Sequence, residues 1–107
     1  MDAILVMITA GSAEEAGRLT DALLDARLVA CVNQAPDVRS FFWWQGRRDH
    51  ADEVLLLAKT RPELWPRVLE TVRGIHGYEV FGAIALPIVE CNPDYLQWIT
   101  ESTTAKP

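Results

Sequence analysis

Cysteine is scarce in this chain. Cys31 and Cys91 stand alone in 107 residues, which makes neither a disulfide framework nor a zinc-binding spacing, and both are expected as reduced thiols. Long apolar runs are also missing. The longest, Val80 to Val89, is half of the roughly 20 residues that cross a bilayer, and Pro87 interrupts it. Cations are in deficit, with 10 Lys and Arg against 15 Asp and Glu and a net charge of −5. Nucleic acids and anionic membranes both require clustered positive charge, so neither is an expected partner. The positive segment of a secretory signal is absent ahead of Ala3–Ile8, where Asp2 stands instead, and the cytoplasm is the expected compartment. There is no Gly-rich phosphate loop, no nucleophile elbow and no HExxH pair, so no enzyme is expected.

What remains is ordinary globular composition, 50% hydrophobic and 23% charged, over a length that fits one domain across residues 1–107. Ala3–Thr9 is continuously apolar, as a central strand buried on both faces would be. Ser12 and Glu15 form a capping box, and Ala16, Leu19, Leu23 and Leu24 follow at the spacing of a core-facing helical stripe that fades near Arg27. Val29–Gly46 is rich in β-branched and aromatic residues, broken by Pro36-Asp37. Polar Gln45–Asp52 reads as a turn and Glu53–Lys59 as the returning strand. Thr60 with Glu63 reads as a second capping box. The helix behind it carries Leu64, Trp65, Val68, Leu69, Val72 and Ile75, although Pro66 fits only a first turn and argues for a later start. Gly74 and Gly77 end it. Tyr78–Val89 reads as a last strand, at a sheet edge or bulge because Pro87 cannot donate to a ladder. Asn92-Pro93 then launches a short helix with Tyr95, Leu96, Trp98 and Ile99, and Thr103–Pro107 is expected to fray. The order is α+β, the split βαββαβ or ferredoxin-like pattern with an extended second hairpin and a short C-terminal helix.

One feature does not fit a lone domain. Val29–Gly46 is 18 residues and would reach about 60 Å if continuous at roughly 3.3 Å per residue. A domain of this size is only about 35 Å across. The hairpin must bend at Pro36-Asp37 or project, and it carries Phe41, Phe42, Trp43 and Trp44 with rings on alternate faces. Phe42 and Trp44 share one face. Bare aromatic patches of that size are commonly interfaces, so self-association is the expected cover.

Leu28-Val29-Ala30-Cys31-Val32-Asn33, Ser40, Trp44, Gly46, Glu53, Leu57, Lys59-Thr60, His76, Tyr78, Pro87 and Asp94-Tyr95-Leu96-Gln97-Trp98-Ile99 together resemble the CutA divalent-cation tolerance family over nearly the whole chain. The resemblance implies the same βαββαβ fold and a homotrimer joined at strand edges, and the aromatic patch makes Phe42 and Trp44 its candidate interface residues. It also implies a role in divalent-cation tolerance, with copper or another divalent cation as the group bound. Four positions depart from the family pattern, which has Tyr where Phe42 stands, Pro where Gly77 stands and a Pro-Glu pair where Phe81-Gly82 stand. The acid lost at Gly82 would face a cleft between subunits.

Two readings of His76 stand side by side. At a helix C-terminus an imidazole is favoured by the dipole, a structural role; in the family frame it is a metal ligand. One imidazole is too few for a closed site, so either three symmetric copies of it in a trimer or a partner's Cys31 or Glu53 would have to complete the set. His50 reads as a solvated loop residue and Cys31 as a small hydrophobe in a strand. Glu53 and Lys59, an even spacing apart, share a strand face. They are either a solvated edge or, with Tyr78, candidates to hold a small polar ligand in the intersubunit cleft, which makes a ligand-sensing or scaffold trimer the alternative function. Acylphosphatases and RNA-recognition domains share the element order. The first needs an arginine where Ala10-Gly11-Ser12 stand; the second needs basic and aromatic residues on the third strand, where Glu53–Lys59 carries no ring.

Overall fold

Alternation along β1 (Ile4–Ala10) organises the molecule, whose computed structural model describes residues 1–104. Ile4, Val6, Ile8 and Ala10 point under the helices and are buried, whereas Leu5, Met7 and Thr9 face the opposite side and are only half-covered. The other elements are α1 (Ala13–Asp25), β2 (Cys31–Trp44), β3 (Arg47–Thr60), α2 (Trp65–Ile75), β4 (Ala83–Pro87) and α3 (Pro93–Ser102). The sheet runs β2-β3-β1-β4, antiparallel throughout, which is the ferredoxin-like arrangement.

The core lies between one sheet face and α1 with α2. Val54, Leu56 and Ala58 of β3 join the β1 residues beneath Ala16, Leu19 and Leu23 of α1 and Val68 and Val72 of α2. Leu24 turns outward and is not part of that stripe. The Ser12 cap forms as expected, its Oγ accepting from the Glu15 N–H at 3.1 Å.

Polarity misread two boundaries. Arg47–Asp52 is strand, not turn: only Gln45-Gly46 reverse the chain, both at positive φ as a two-residue hairpin turn requires. His50 accordingly sits in β3 opposite Phe41, its ring 6.0 Å from the phenyl. Both faces of this outer hairpin are exposed within one chain, so no apolar alternation marks it in the sequence. Thr60 caps no helix; it ends β3, fully buried, and donates to the Leu28 carbonyl at 2.6 Å. A single 3₁₀ turn, Pro62–Leu64, leads into α2, and Pro66 falls in the first turn of that helix as its chemistry demands.

β4 is shorter than Tyr78–Val89, since Tyr78–Gly82 follow a separate path against the end of β1. Pro87 closes β4 at the sheet edge. Thr103 does not fray: it is buried, and Arg61 donates from Nε to its hydroxyl and from Nη2 to its carbonyl, each at 2.9 Å. The rest of that expectation, residues 105–107, lies outside the described residues. The long hairpin both bends and projects. Ala35 and Val38 bracket a bulge in which Asp37 takes φ 61°, and beyond it β2 and β3 run past the ends of β1 and β4, giving a long axis of 47 Å against 28 and 22 Å.

Candidate functional site

Where β1 stops and the hairpin continues, the fold leaves a notch. Thr9 at the end of β1, Tyr78–Val80 and Gly82 line it on one side and the outer hairpin lines it on the other. Behind Tyr78, Glu15 ties the start of α1 to the segment that follows α2. Its Oε1 accepts the Gly11 N–H at 3.1 Å and lies 3.4 Å from His76 Nε2, while Oε2 accepts the Gly77 N–H at 2.8 Å. Burial favours the neutral acid, but the Gly11 and Gly77 N–H groups, the His76 ring and Arg18 outweigh it and hold the carboxyl below its ordinary 4.5.

Gly77 explains one departure from the family pattern. A proline there could not donate to Glu15, and even a Cβ would come within 2.9 Å of Oε2. Phe81 explains another, its ring stacking on His76 at 5.1 Å between centroids.

His76 caps α2 with its side chain enclosed. Nε2 donates to the Thr9 carbonyl at 2.6 Å and Nδ1 accepts the Tyr78 N–H at 3.1 Å. Both ring nitrogens are therefore committed within the chain. Among the described residues no three His, Cys, Asp or Glu side chains gather closely enough to hold a metal ion. The donors of one chain do not fit copper or another divalent cation, and within the chain His76 has a structural role. His76→Ala is expected to cost about 2 kcal/mol through the Thr9 carbonyl and Tyr78 N–H left without partners. Thermal melts measure the loss, and copper titration of the same variant should match the parent.

Tyr78 turns its phenol to Glu53, donating to Oε2 at 2.9 Å. Glu53 is 7% exposed and, among the described residues, faces no cation within salt-bridge distance. Burial, then the hydrogen bond and charge of Glu53, then the charge of Glu15 push the Tyr78 phenol above its usual 10, so it stays a donor. Tyr78→Phe is expected to destabilise the chain by about 1–3 kcal/mol, the cost of a buried carboxylate losing its donor, measurable by urea denaturation.

Lys59 does not join this pair. It shares the Glu53 face, but six residues along an extended strand is about 20 Å, and its ammonium bonds the Asn33 side chain. Cys31, half-buried at the start of β2, lies near that same Asn33, its Sγ 3.8 Å from Oδ1. Cys31 and Cys91 are both free thiols. Phe42 and Trp44 sit on the outer hairpin, 38% and 44% exposed, and line the notch opposite Tyr78. Sequence reasoning missed Asp49 and Glu79, which also line it, because both fell in segments assigned a different structure.

The other sheet face is the second feature. Leu5, Met7, Leu55, Leu57, Ile84 and Leu86 lie on the side away from α1 and α2, with Ile84 55% and Leu86 39% exposed. No helix among the described residues is long and apolar enough to cross a membrane. Fold and site together define a ferredoxin-like α+β protein with one incompletely covered apolar sheet face and an acidic, aromatic notch beside a projecting hairpin.

That class contains the family that this chain belongs to. Residues 4–102 match the model of the CutA1 divalent ion tolerance protein family, and the chain is a member. The Divalent-cation tolerance protein CutA of Thermus thermophilus is 42% identical over 99 residues, 92% of this chain and 96% of the relative. Protein CutA of Mus musculus is 38% identical over 90% of this chain, which spans only 54% of that longer relative. The solved structure titled as the periplasmic divalent cation tolerance protein CutA from Archaeoglobus fulgidus superposes with a TM-score of 0.92 at 38% identity, covering 95% of this chain and 99% of that one.

Proposed function

We propose that this chain works as a non-catalytic homotrimer in divalent-cation tolerance. The observation that carries the assembly is the apolar sheet face. At about 25 cal/mol per Å² of apolar surface removed from water, pairing that face with other copies is strongly favoured. The continuous apolar run of β1 makes sense only if both of its faces end up covered. Three as the number of copies is carried over from the family resemblance, and the interface role of Phe42 and Trp44 rests on the exposed aromatic hairpin. Polar recognition falls to the notch of Glu53 and Tyr78, without Lys59 and without a resident copper ion on His76. The two free thiols favour a reducing compartment, for which we propose the cytoplasm.

The tolerance role is tested by expressing the chain in a copper-sensitive bacterial strain that lacks its own member of this family. Growth at raised copper should recover with the parent and with a His76 variant that still folds. No recovery by well-expressed trimer contradicts the proposal.

A further inference from the structure

The closed structure leaves the His76 ring no place for a second proton. Nε2 donates to the Thr9 carbonyl at 2.6 Å, and Nδ1 accepts the Tyr78 N–H at 3.1 Å. One donor and one acceptor are what a neutral imidazole offers, so these contacts select the neutral ring and its tautomer. A proton on Nδ1 would meet the Tyr78 N–H donor against donor. The side chain is fully enclosed, so water cannot accept the new N–H while the enclosure lasts.

That enclosure is thin on one side. Residues 78–81 cross the ring without joining a helix or strand, and the Tyr78 and Phe81 rings cover it at 4.9 and 5.1 Å between centroids. Both ends of the segment are anchored. The Gly77 N–H donates to Glu15 at 2.8 Å, and the Gly82 carbonyl accepts the Thr9 N–H at 3.1 Å. Between the anchors, among the described residues, only Tyr78 makes hydrogen bonds, its N–H to His76 and its hydroxyl to Glu53.

The charges around the ring act from different sides. Glu15 of α1, 3.4 Å from Nε2, attracts an imidazolium from the side that would stay bonded, and Arg18 faces that carboxylate. β1 presents the Thr9 carbonyl, and β3 reaches the site through Glu53 on the Tyr78 hydroxyl. Arg73 of α2 lies over the Phe81 ring at 5.9 Å and opposes a second cation, while Glu79 on the segment itself is exposed.

We propose that residues 78–81 form a proton-operated flap, closed over neutral His76 and released when Nδ1 takes up a proton. The charged ring stays on Thr9 and Glu15 and lets go of Tyr78. Release withdraws the Tyr78 phenol from Glu53 and opens one wall of the notch.

The test is nuclear magnetic resonance of the full chain with a chelator present, from about pH 8 to about pH 5.5, a range that spans the ordinary histidine value of about 6.5. It stays above the range in which Glu15 titrates, below 4.5. Protection of the Tyr78 N–H from hydrogen exchange, relative to its intrinsic rate, should fall about ten-fold or more. The Gly77 N–H should keep its protection, because ionised Glu15 still accepts it. The fall should share one midpoint with the His76 ring-nitrogen signal. His76→Gln keeps a donor for Thr9 and an acceptor for Tyr78 without titrating, so its Tyr78 protection should not change with pH. His50→Gln should behave as the parent. A ring that protonates without loss at Tyr78, a ring that stays neutral throughout, or a loss that Gly77 shares equally overturns the inference. So does a parent-like pH response in His76→Gln. Should that variant not fold, coincident midpoints in the parent support the flap and separate ones refute it.

Discussion

Ile84→Arg is expected to convert the assembly to monomers without unfolding the chain. Ile84 lies on β4 beside Met7, on the sheet face away from the core, and is 55% exposed. A guanidinium there reaches water in the isolated chain, so folding of the monomer should change little. In the proposed trimer the same position is covered, and desolvating an unpaired charge costs several kcal/mol in each of the copies. Sedimentation velocity should show the mass falling to that of one chain, with the far-ultraviolet circular dichroism of the parent retained. A variant that stays trimeric would place the interface elsewhere.

The second large effect is expected at Glu15. Glu15→Ala removes the acceptor for the Gly11 and Gly77 N–H groups together, and with it the link between α1 and the segment that carries Tyr78. Each buried donor left unmade costs about 1–3 kcal/mol, so a loss of about 3 kcal/mol is expected in urea denaturation. That is a large part of the 5–15 kcal/mol typical of a small domain. The pH dependence follows from the same contacts. The native carboxyl titrates below its ordinary 4.5, so on acidification the unfolded chain takes up the proton first. The contribution of Glu15 is complete above about pH 4.5 and is lost as pH falls through the lower native value. In Glu15→Ala that part of the acid sensitivity should vanish, and a parent-like acid profile would contradict the assignment.

The sequence made the helices and the inner sheet legible through burial. Leu19, Leu23, Val68 and Val72 are core because their spacing places them on one face of each helix, and physical pattern reading finds such faces. The apolar run of β1 pointed to burial on both faces, whereas within one chain only the Ile4, Val6, Ile8 and Ala10 face is fully buried. The outer hairpin was legible by length alone. Its exposed residues, His50 and Asp49 among them, follow no apolar alternation within one chain, and so were read as a turn. Thr60 and Glu63 have the spacing of a capping box, but burial of the Thr60 hydroxyl against the Leu28 carbonyl decides its role, a contact across 32 positions that no local motif encodes.

The site was legible in part. Glu53 and Tyr78 were found and do meet, whereas even spacing could show only that Lys59 shares a face with Glu53, not that Asn33 holds it. Glu15 was recognised as a helix cap, and nothing in its spacing shows that its second oxygen reaches Gly77. His76 was rightly placed at the end of α2, but the two partners that occupy its ring come from Thr9 and Tyr78, one of them 67 residues away.

Light scattering across a dilution series tests the central claim most directly. The account predicts about three times the 12.0 kDa chain mass, unchanged down to micromolar concentration. A mass of one chain at that concentration would contradict it, since the sheet face of Leu5, Met7, Leu57 and Ile84 would then remain in water.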